Sequence, residues 1–340
     1  MSALRLPVPE SFAQRWGRRA VTVPLYLALA VLVIGGLPVL LPLALVVDLV
    51  RRSRWVAVRC VLFFALYLAC EALGIVAALV LWRPARFWDE RALDRHYALQ
   101  QRWARTIFDG AAWIFGFDVK VEGAETVGRG PLVVLMRHAS VADTPLPVVL
   151  LNVRHGLRMR YVLKRELLWD PCLDLVGQRI PNVFVRRGSD DGEREVALVA
   201  RLAEGLGPRD GVLIYPEGTR FSPPKLARTL ASIAERGDRT RVERVRSFRH
   251  VLPPRPGGAV ALLAAAPTAD VLIVAHTGFE GVGSFTELWN GGLVGARVRV
   301  QLRRVPRAEV PASAVAQAAW IDAQWAHLDA WLDERQRRSA

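Results

Sequence analysis

The sequence is poor in cysteine. Only Cys60, Cys70 and Cys172 occur among 340 residues, and the first two lie inside an apolar stretch. This number and spacing exclude a disulfide framework and do not resemble a cysteine-based metal site. They are typical of a protein that faces a reducing compartment, so we expect no disulfide and no metal.

Lysine is equally scarce, with three residues out of a Lys and Arg total of 46, whereas Asp and Glu number 32. The formal net charge of +14 at pH 7 is therefore almost entirely arginine. Such a surplus suits an anionic membrane, acidic substrates or nucleic acid. No recognised nucleic-acid-binding module accompanies the charge, so we expect no nucleic acid among the partners.

Charged side chains are absent from residues 21–47, and residues 60–82 contain only Glu71. Each stretch exceeds the roughly 20 residues that cross the hydrocarbon core of a bilayer. The first stretch is too long and begins too late to be a cleavable signal peptide. The sequence therefore predicts an N-terminal membrane-embedded segment over residues 1–86.

Within that segment we predict two apolar helical stretches, 21–50 and 55–82. Gly35 to Pro38, together with Pro42, break the first stretch near its middle. Arginines flank both stretches, so a simple two-span hairpin conflicts with the preference of positive charge for the cytoplasmic side. Two full spans and a re-entrant or monotopic insertion both remain open, and we expect Glu71 to lie against protein.

Short apolar runs alternate with helical patterns downstream. The predicted helices cover 87–117, 191–205 and 256–266, and the predicted strands are 117–121, 132–136, 160–163, 183–185, 211–215, 271–276 and 298–303. This alternation predicts an α/β fold, a mixed sheet with parallel segments covered by helices. We place this domain at residues 87–310.

A C-terminal amphipathic helix is predicted over residues 311–340. Ile321, Trp325, Leu328 and Leu332 form one stripe, for which core packing is expected and a membrane-facing tryptophan is the alternative. Residues 244–254, with Lys225 and Arg228, are predicted to be a basic loop region. A solvated face and a contact with lipid headgroups are equally open there.

A histidine and a carboxylate follow the apolar run that begins at Pro131. Open α/β sheets build their sites at the carboxyl ends of strands. Imidazole titrates near neutrality and needs a partner to fix its tautomer. His138 and Asp143 are therefore predicted to be a general base and its orienter, with the loop at Asp143 to Pro145 folding the carboxylate back onto the ring.

Four ordered motifs resemble those of glycerolipid acyltransferases of the lysophosphatidic acid acyltransferase superfamily. They are His138 to Asp143, Tyr161 to Leu167, Gly177 to Arg187 and the Gly-rich Tyr215 to Arg220. The resemblance covers roughly residues 95–305. Where that family usually has asparagine before the histidine, this chain has Arg137.

The resemblance implies a membrane-bound O-acyltransferase with a glycerolipid-acyltransferase-like fold. Its acyl donor would be acyl-CoA or acyl-carrier protein, with no cofactor. Its acceptor would be a lysophospholipid, most simply 1-acyl-glycerol-3-phosphate, which becomes phosphatidic acid. We expect a bacterial inner membrane with the catalytic domain on the cytoplasmic side. The alternatives are a lysocardiolipin-type or other lysophospholipid acyltransferase and, in another class, a catalytically silent lipid-binding membrane protein.

The resemblance also names residues that would bind substrate. Lys164, Arg187 and Arg220 are the candidates for an acceptor phosphate, because cations, and guanidinium groups above all, bind phosphate. We expect Glu217 to orient an arginine or to accept from the acceptor hydroxyl. Gly218 allows close backbone approach, and Thr219 completes the set.

Other residues near these motifs are weaker candidates. A covalent acyl-Ser140 enzyme is disfavoured because the chain lacks a nucleophile elbow there. Ser140 is expected to hydrogen-bond within its loop or to donate to the substrate. For Arg137, Arg179 and Arg186 a surface position is at least as plausible as substrate contact. His276 ends a predicted strand, where it could line the site.

Overall fold

A computed structural model of the protein describes residues 10–81, 89–185 and 192–337. The helices are α1 (Phe12–Gly35), α2 (Leu37–Arg51), α3 (Val56–Val80), α4 (Glu90–Phe115), α5 (Pro171–Leu175), α6 (Gly192–Leu202), α7 (Pro223–Glu235), α8 (Arg239–Val245), α9 (Pro256–Ala265), α10 (Phe285–Trp289) and α11 (Ala314–Arg337). The strands are β1 (Asp118–Glu122), β2 (Leu132–Met136), β3 (Arg158–Lys164), β4 (Val183–Val185), β5 (Asp210–Ile214), β6 (Asp270–Thr277) and β7 (Arg297–Val305).

The described residues form two compact units, each built from several chain segments. The first unit lies within residues 1–118, 145–190 and 284–296 and holds α1 to α5, β3, β4 and α10. The second unit lies within residues 119–144, 191–283 and 297–340 and holds the remaining helices and strands. The linear division into 1–86, 87–310 and 311–340 stays a prediction.

The second unit is organised around a mixed sheet with the strand order β1-β7-β6-β2-β5. The central strand β2 pairs in parallel with both β5 and β6, so that Val134 lies opposite Leu213 on one side and Leu272 on the other. Strand β7 runs antiparallel to β6. The carboxyl ends of β2, β5 and β6 therefore meet at one edge of the sheet.

Helices bury the faces of this sheet. Every residue of β2 and β5 is buried, as their continuous apolar runs indicate for parallel strands covered on both faces. Helix α9 packs on β2 and β5, and α11 packs on β6, α8 and α9. In the first unit β3 and β4 form a parallel pair. The predicted α/β class with a mixed, helix-covered sheet is confirmed.

The basic loop predicted around residues 244–254 is partly wrong. Lys225 and Arg228 lie on α7, and Arg244 lies on α8. Two prolines occupy the first turn of α7, where their missing N–H groups cost nothing. Leu226, Leu230 and Ile233 then recur at helical spacing, a signal that the charged residues between them obscured.

The predicted apolar stretches are helical in the first unit. The first stretch is divided at Gly36 into α1 and α2, as the glycine and proline signals indicate, and α2 has prolines in its first turn and at Pro42. Asp48 of α2 accepts hydrogen bonds at 2.9 Å from the backbone amides of Ala57 and Val58 and so caps the start of α3. Residue 82, where the second stretch was expected to end, lies outside the described residues.

Two helices, α1 and α3, are long and apolar enough to cross a membrane. Glu71 of α3 is fully buried. It accepts from the Trp103 indole N–H at 2.9 Å and from the Cys172 amide at 3.3 Å. The expected position of Glu71 against protein is therefore confirmed, because its buried side chain is hydrogen-bonded to two residues of the same unit.

The stripe of the C-terminal helix packs into the core of the second unit. Ile321, Trp325, Leu328 and Leu332 of α11 are all buried, and Trp325 is fully inaccessible to solvent. Core packing is confirmed for this tryptophan, and a membrane-facing position is excluded.

We expect Trp325→Ala to lower the free energy of unfolding by about 3–5 kcal/mol, because it removes a large buried ring and leaves a cavity. Trp113→Ala is the matched control, since Trp113 is 82% exposed. Denaturant unfolding of both variants in one detergent measures the difference. Equal losses in the two variants would contradict the packing of α11.

Candidate active site

The predicted base and its orienter lie at the carboxyl edge of the sheet in the second unit. His138 follows β2 by two residues, the Gly-rich motif begins at Tyr215 directly after β5, and His276 lies near the end of β6. Three parallel strands thus bring the motifs to one place, where open α/β sheets bind ligands.

His138 and Asp143 are hydrogen-bonded, with 3.0 Å between the imidazole Nδ1 and the carboxylate Oδ1. A carboxylate can only accept, so Nδ1 carries the hydrogen, and Nε2 of the neutral ring is left to receive a proton. The His138 side chain is 14% exposed, whereas Asp143 is fully buried. The ring also lies 4.5 Å from the Tyr215 ring between centroids. This arrangement suits a general base with an orienting acid.

Asp143 is held by further donors on its second oxygen. The amides of Ala139 and Ser140 donate to Oδ2, each at 2.8 Å, and His276 Nε2 lies 3.3 Å away. Burial opposes ionisation, but the hydrogen bonds and charges of His138 and His276 outweigh it and hold the pKa of Asp143 well below its usual range. The carboxylate is therefore ionised at every pH at which the protein would work.

Glu217 fixes the backbone of His138. Its Oε1 accepts from the His138 amide at 3.2 Å, and its Oε2 accepts from the Leu252 amide at 3.0 Å. The His138 carbonyl in turn accepts from the Phe221 amide at 3.0 Å. Both backbone groups of the candidate base are thus bound to residues in or beside the Gly-rich motif. Glu217 is buried, and each of its oxygens accepts a hydrogen bond from a backbone amide.

Burial raises the pKa of Glu217 to about 7, while the charge of Arg137 and the two amide hydrogen bonds partly offset this effect. The two buried carboxyl groups of the site therefore differ: Asp143 stays charged, and Glu217 changes its charge near neutrality.

Arg137 is fully buried, so the surface position considered for it is wrong. Its Nη1 donates at 2.6 Å both to Glu280 Oε1 and to the His276 carbonyl, and its Nη2 donates at 3.0 Å to the His250 carbonyl. Arg137 thus joins the end of β2 to the segments that follow β6 and precede α9. Its guanidinium is engaged within the protein.

Ser140 behaves as expected of a loop residue. Its hydroxyl donates to the Val282 carbonyl at 2.6 Å and accepts from the Ala142 amide at 3.1 Å, and the residue is fully buried. A hydroxyl with its hydrogen already donated to a carbonyl is a poor nucleophile.

The rest of the Gly-rich motif forms a turn. Gly218 has φ +69°, and its amide donates to the Tyr215 carbonyl at 2.9 Å; only glycine adopts this conformation without strain. Thr219 Oγ1 accepts from Lys225 Nζ at 3.2 Å. Arg220 is half-buried, and its Nη1 donates to the Gly283 carbonyl at 2.7 Å.

The remaining predicted residues lie in the first unit or outside the described residues. Lys164 ends β3 and belongs to the first unit. Arg186 and Arg187 lie outside the described residues. Arg179, also in the first unit, donates to the Ala78 carbonyl at 2.6 Å. Within the described ranges, no group of His, Cys, Asp or Glu side chains is arranged to hold a metal ion.

Sequence reasoning missed the partners of Arg137. Glu280 is the first acidic residue after β6 and lies three residues beyond that strand. A carboxylate that closely follows a buried apolar strand is the signal by which it could have been found. The expectation that His276 lines the site understated its position, since it contacts Asp143 directly.

The second unit is thus an α/β domain with a hydrogen-bonded His–Asp pair at the carboxyl edge of its sheet. Residues 118–276, from the start of β1 to His276, match the acyltransferase family. This match, over somewhat less than half of the chain, confirms the resemblance that the four motifs carry.

Two individual proteins are similar to parts of this chain. The 1-acyl-sn-glycerol-3-phosphate acyltransferase epsilon of Mus musculus is 26% identical over 188 residues, which are 52% of this chain and 48% of the mouse protein. The chain therefore spans about half the length of that curated relative. The crystal structure of the 1-acyl-sn-glycerophosphate (LPA) acyltransferase from Thermotoga maritima superposes with a TM-score of 0.49 at 17% identity and covers 78% of this chain and 87% of the other.

Glu217 should make the stability of the protein depend on pH. Its pKa is raised from 4.5 to about 7 on folding, so between these values the folded state keeps a proton that the unfolded chain has lost. The stabilisation is full below about pH 4.5 and is lost as the pH rises through 7. We expect Glu217→Gln to reduce this loss of unfolding free energy between pH 4.5 and 7.

Unfolding of wild type and variant at pH 5 and pH 8 tests the expectation. Glu235→Gln is the control, because Glu235 is exposed at the end of α7. An unchanged pH dependence in Glu217→Gln would show that another group controls it.

Proposed function

We propose that the protein transfers a fatty acyl group from an acyl thioester to the free hydroxyl of a lysophospholipid, most simply 1-acyl-glycerol-3-phosphate, forming phosphatidic acid. The observation that carries this proposal is the 3.0 Å hydrogen bond between His138 and Asp143 inside a domain of the acyltransferase family. The name of the mouse relative supports the choice of acceptor.

His138 acts as the general base. Its Nε2 takes the proton of the acceptor hydroxyl while the hydroxyl oxygen attacks the thioester carbonyl. The tetrahedral intermediate then collapses, the carbon–sulfur bond breaks, and the departing thiolate receives the proton from the imidazolium. The charged Asp143 stabilises that imidazolium and holds the ring in one tautomer.

Arg220 is the candidate for the acceptor phosphate in the described part of the site. One of its terminal nitrogens is engaged with Gly283, and the half-buried guanidinium has further N–H groups for a phosphate oxygen. Lys164 and Arg187 remain proposed contacts with the same group. The backbone of Gly218 and the hydroxyl of Thr219 are the neighbouring groups proposed to contact the same phosphate.

A membrane anchor is part of the proposal, because a lysolipid and its product partition into a bilayer. Helices α1 and α3 are long enough to span one. Helix α2 has 15 residues, about 22 Å at 1.5 Å per residue, which is shorter than the roughly 30 Å hydrocarbon core. It nevertheless exposes Val39, Leu43 and Val46. We place the anchor in a bacterial inner membrane with the catalytic domain on the cytoplasmic side.

Replacing His138 by alanine should lower the rate of acyl transfer by about 10²–10⁴-fold, the usual loss when a general base is removed. Release of free thiol from an acyl thioester in the presence of 1-acyl-glycerol-3-phosphate measures this rate. His327→Ala is the control, since His327 is exposed on α11 and should retain wild-type turnover. A His138 variant that keeps more than half of the activity would refute the proposed mechanism.

Arg220→Ala should raise the apparent KM for the lysolipid and leave the KM for the acyl donor nearly unchanged. The loss of a charge-assisted phosphate contact corresponds to roughly 1.5–3 kcal/mol. Arg201→Ala, which removes an exposed arginine of α6, controls for the change in charge. A rise in the donor KM alone would assign Arg220 to the other substrate.

A further inference from the structure

The aspartates of the C-terminal helix α11 lie on one face. Asp322, Asp329 and Asp333 are separated by seven and four residues, a spacing that places side chains on the same side of a helix. All three contact the part of the second unit between the start of α8 and the start of α9. Arg241 Nε donates to Asp322 at 3.1 Å, and His250 Nε2 lies 3.3 Å from an Asp333 oxygen. This acidic face therefore holds the chain that precedes α9.

The middle aspartate of this face binds the main chain. Asp329 is 7% exposed. Its Oδ1 accepts from the His250 amide at 2.7 Å and from the Arg249 amide at 3.1 Å, and its Oδ2 also accepts from the Arg249 amide at 3.1 Å. Such bonds to a charged acceptor are strong and directional. One carboxylate that accepts from two successive amides therefore fixes the path of the backbone there.

The backbone that Asp329 holds continues into the candidate active site as residues 249–252, which we call the 249–252 segment. The carbonyl of His250 accepts from Arg137 Nη2 at 3.0 Å. Two residues later, the Leu252 amide donates to Glu217 Oε2, also at 3.0 Å. The segment thus offers one acceptor and one donor to two buried charged groups, one at the end of β2 and the other in the Gly-rich motif.

These two charged groups determine where the backbone of the candidate base lies. Glu217 accepts from the His138 amide at 3.2 Å through its other oxygen, Oε1, and Arg137 directly precedes His138 in the chain. A displaced 249–252 segment would leave buried polar atoms of both side chains without their present partners. Because unpaired buried groups are costly, both side chains would shift to find new partners, and the backbone of His138 would shift with them.

We propose that Asp329 is a positioning residue of the acyl-transfer site. It holds the 249–252 segment, which in turn holds Arg137 and Glu217 and thereby the backbone of His138. The inference rests on the proposed function and adds to it a residue far from the four motifs. Helix α11 lies wholly beyond the part of the chain that matches the acyltransferase family. This helix therefore supports the base as well as completing the core.

The first test is the rate of acyl transfer by the full chain in detergent. Asp329→Ala should lower kcat at least about tenfold, because a displacement of about 1 Å can cost about 10²-fold in rate. The KM values for lysolipid and acyl donor should stay within about twofold of wild type, since the variant displaces the base. Asp329→Asn keeps an oxygen at the Oδ1 position, which accepts from both amides, and should restore most of the rate.

Asp270→Ala is the matched control for these variants. The Asp270 carboxylate accepts from Arg304 Nε and from the Arg307 amide, each at 2.8 Å. It therefore also binds a backbone amide in the second unit, but at the start of β6, at the opposite edge of the sheet from His138. This control should keep the kcat of the wild type even where it lowers the free energy of unfolding.

The second test is the pH dependence of unfolding, which requires no reaction. Burial raises the pKa of Glu217 to about 7, against the charge of Arg137 and the amides of Leu252 and His138, which lower it. If Asp329→Ala displaces the Leu252 amide, the pKa of Glu217 should rise further. The fall in unfolding free energy with rising pH should then continue to a higher pH than in the wild type. A general loss of stability would lower the curve at every pH without extending this fall, and Asp270→Ala should show that behaviour.

Three outcomes would overturn the inference. The first is a folded Asp329→Ala variant with the kcat of the wild type, and the second is one with an unchanged pH dependence of unfolding. The third is an equal fall of kcat in Asp270→Ala, which would attribute the effect to stability. If Asp329→Ala does not fold, Asp329→Glu replaces it, because the added methylene keeps the charge but displaces the two amides. A wild-type kcat in Asp329→Glu would then overturn the inference.

Failure of the proposed function can be distinguished from failure of this inference. If the wild type acylates no lysolipid but Asp329→Ala extends the pH dependence of unfolding, the connection from Asp329 to Glu217 stands and the proposed function fails. If the wild type acylates lysolipid and folded Asp329→Ala does so with the same kcat, the proposed function stands and the role of Asp329 fails.

Discussion

The buried carboxylate of Asp143 is the constraint on which the candidate site depends. A charged group without solvent is tolerated only when donors surround it. The His138 ring, the amides of Ala139 and Ser140, and the His276 ring supply them. Because these donors come from the ends of two neighbouring strands, β2 and β6, the loop after β2 can adopt this path only when the sheet is formed. The orientation of the imidazole follows from the fold.

A second buried carboxylate, Glu217, holds the same histidine by its backbone but responds differently to burial. Burial of Glu217 is offset by the charge of Arg137 and by two amides at 3.2 and 3.0 Å, but less fully than burial of Asp143 is offset by two imidazoles and two amides. The pKa of Glu217 accordingly rises to about 7. A protonated Glu217 must turn one oxygen into a donor, which weakens its bond to either His138 or Leu252. Near neutral pH the site therefore combines one fixed charge with one that changes.

The elements of the fold follow closely from local patterns, whereas the network around the site does not. The bounds of β2 and β4 match the prediction to the residue, because continuous apolar runs between polar residues define buried strands. The His138 and Asp143 pair is local, five residues apart, and its contact follows from one turn. Arg137 bonds to groups 113 to 143 residues away. A periodic sequence pattern does not specify contacts between residues so far apart in the chain. Neither the burial of Arg137 nor its ion pair with Glu280 could therefore be predicted from the sequence. The helices α7 and α8 were missed because their charges hid their apolar spacing.

The arginines behind the net charge of +14 differ in whether a carboxylate neutralises them. Arg137 is paired with Glu280, Arg241 with Asp322 and Arg304 with Asp270, so these guanidinium groups stabilise the fold and add little to the external field. Arg228, Arg236 and Arg255, near the Gly-rich motif, are exposed and form no ion pair with a carboxylate among the described residues. Their charges therefore add to the external field, in contrast to those of the three paired arginines. The position of the charge, more than its amount, therefore connects composition to function in this chain.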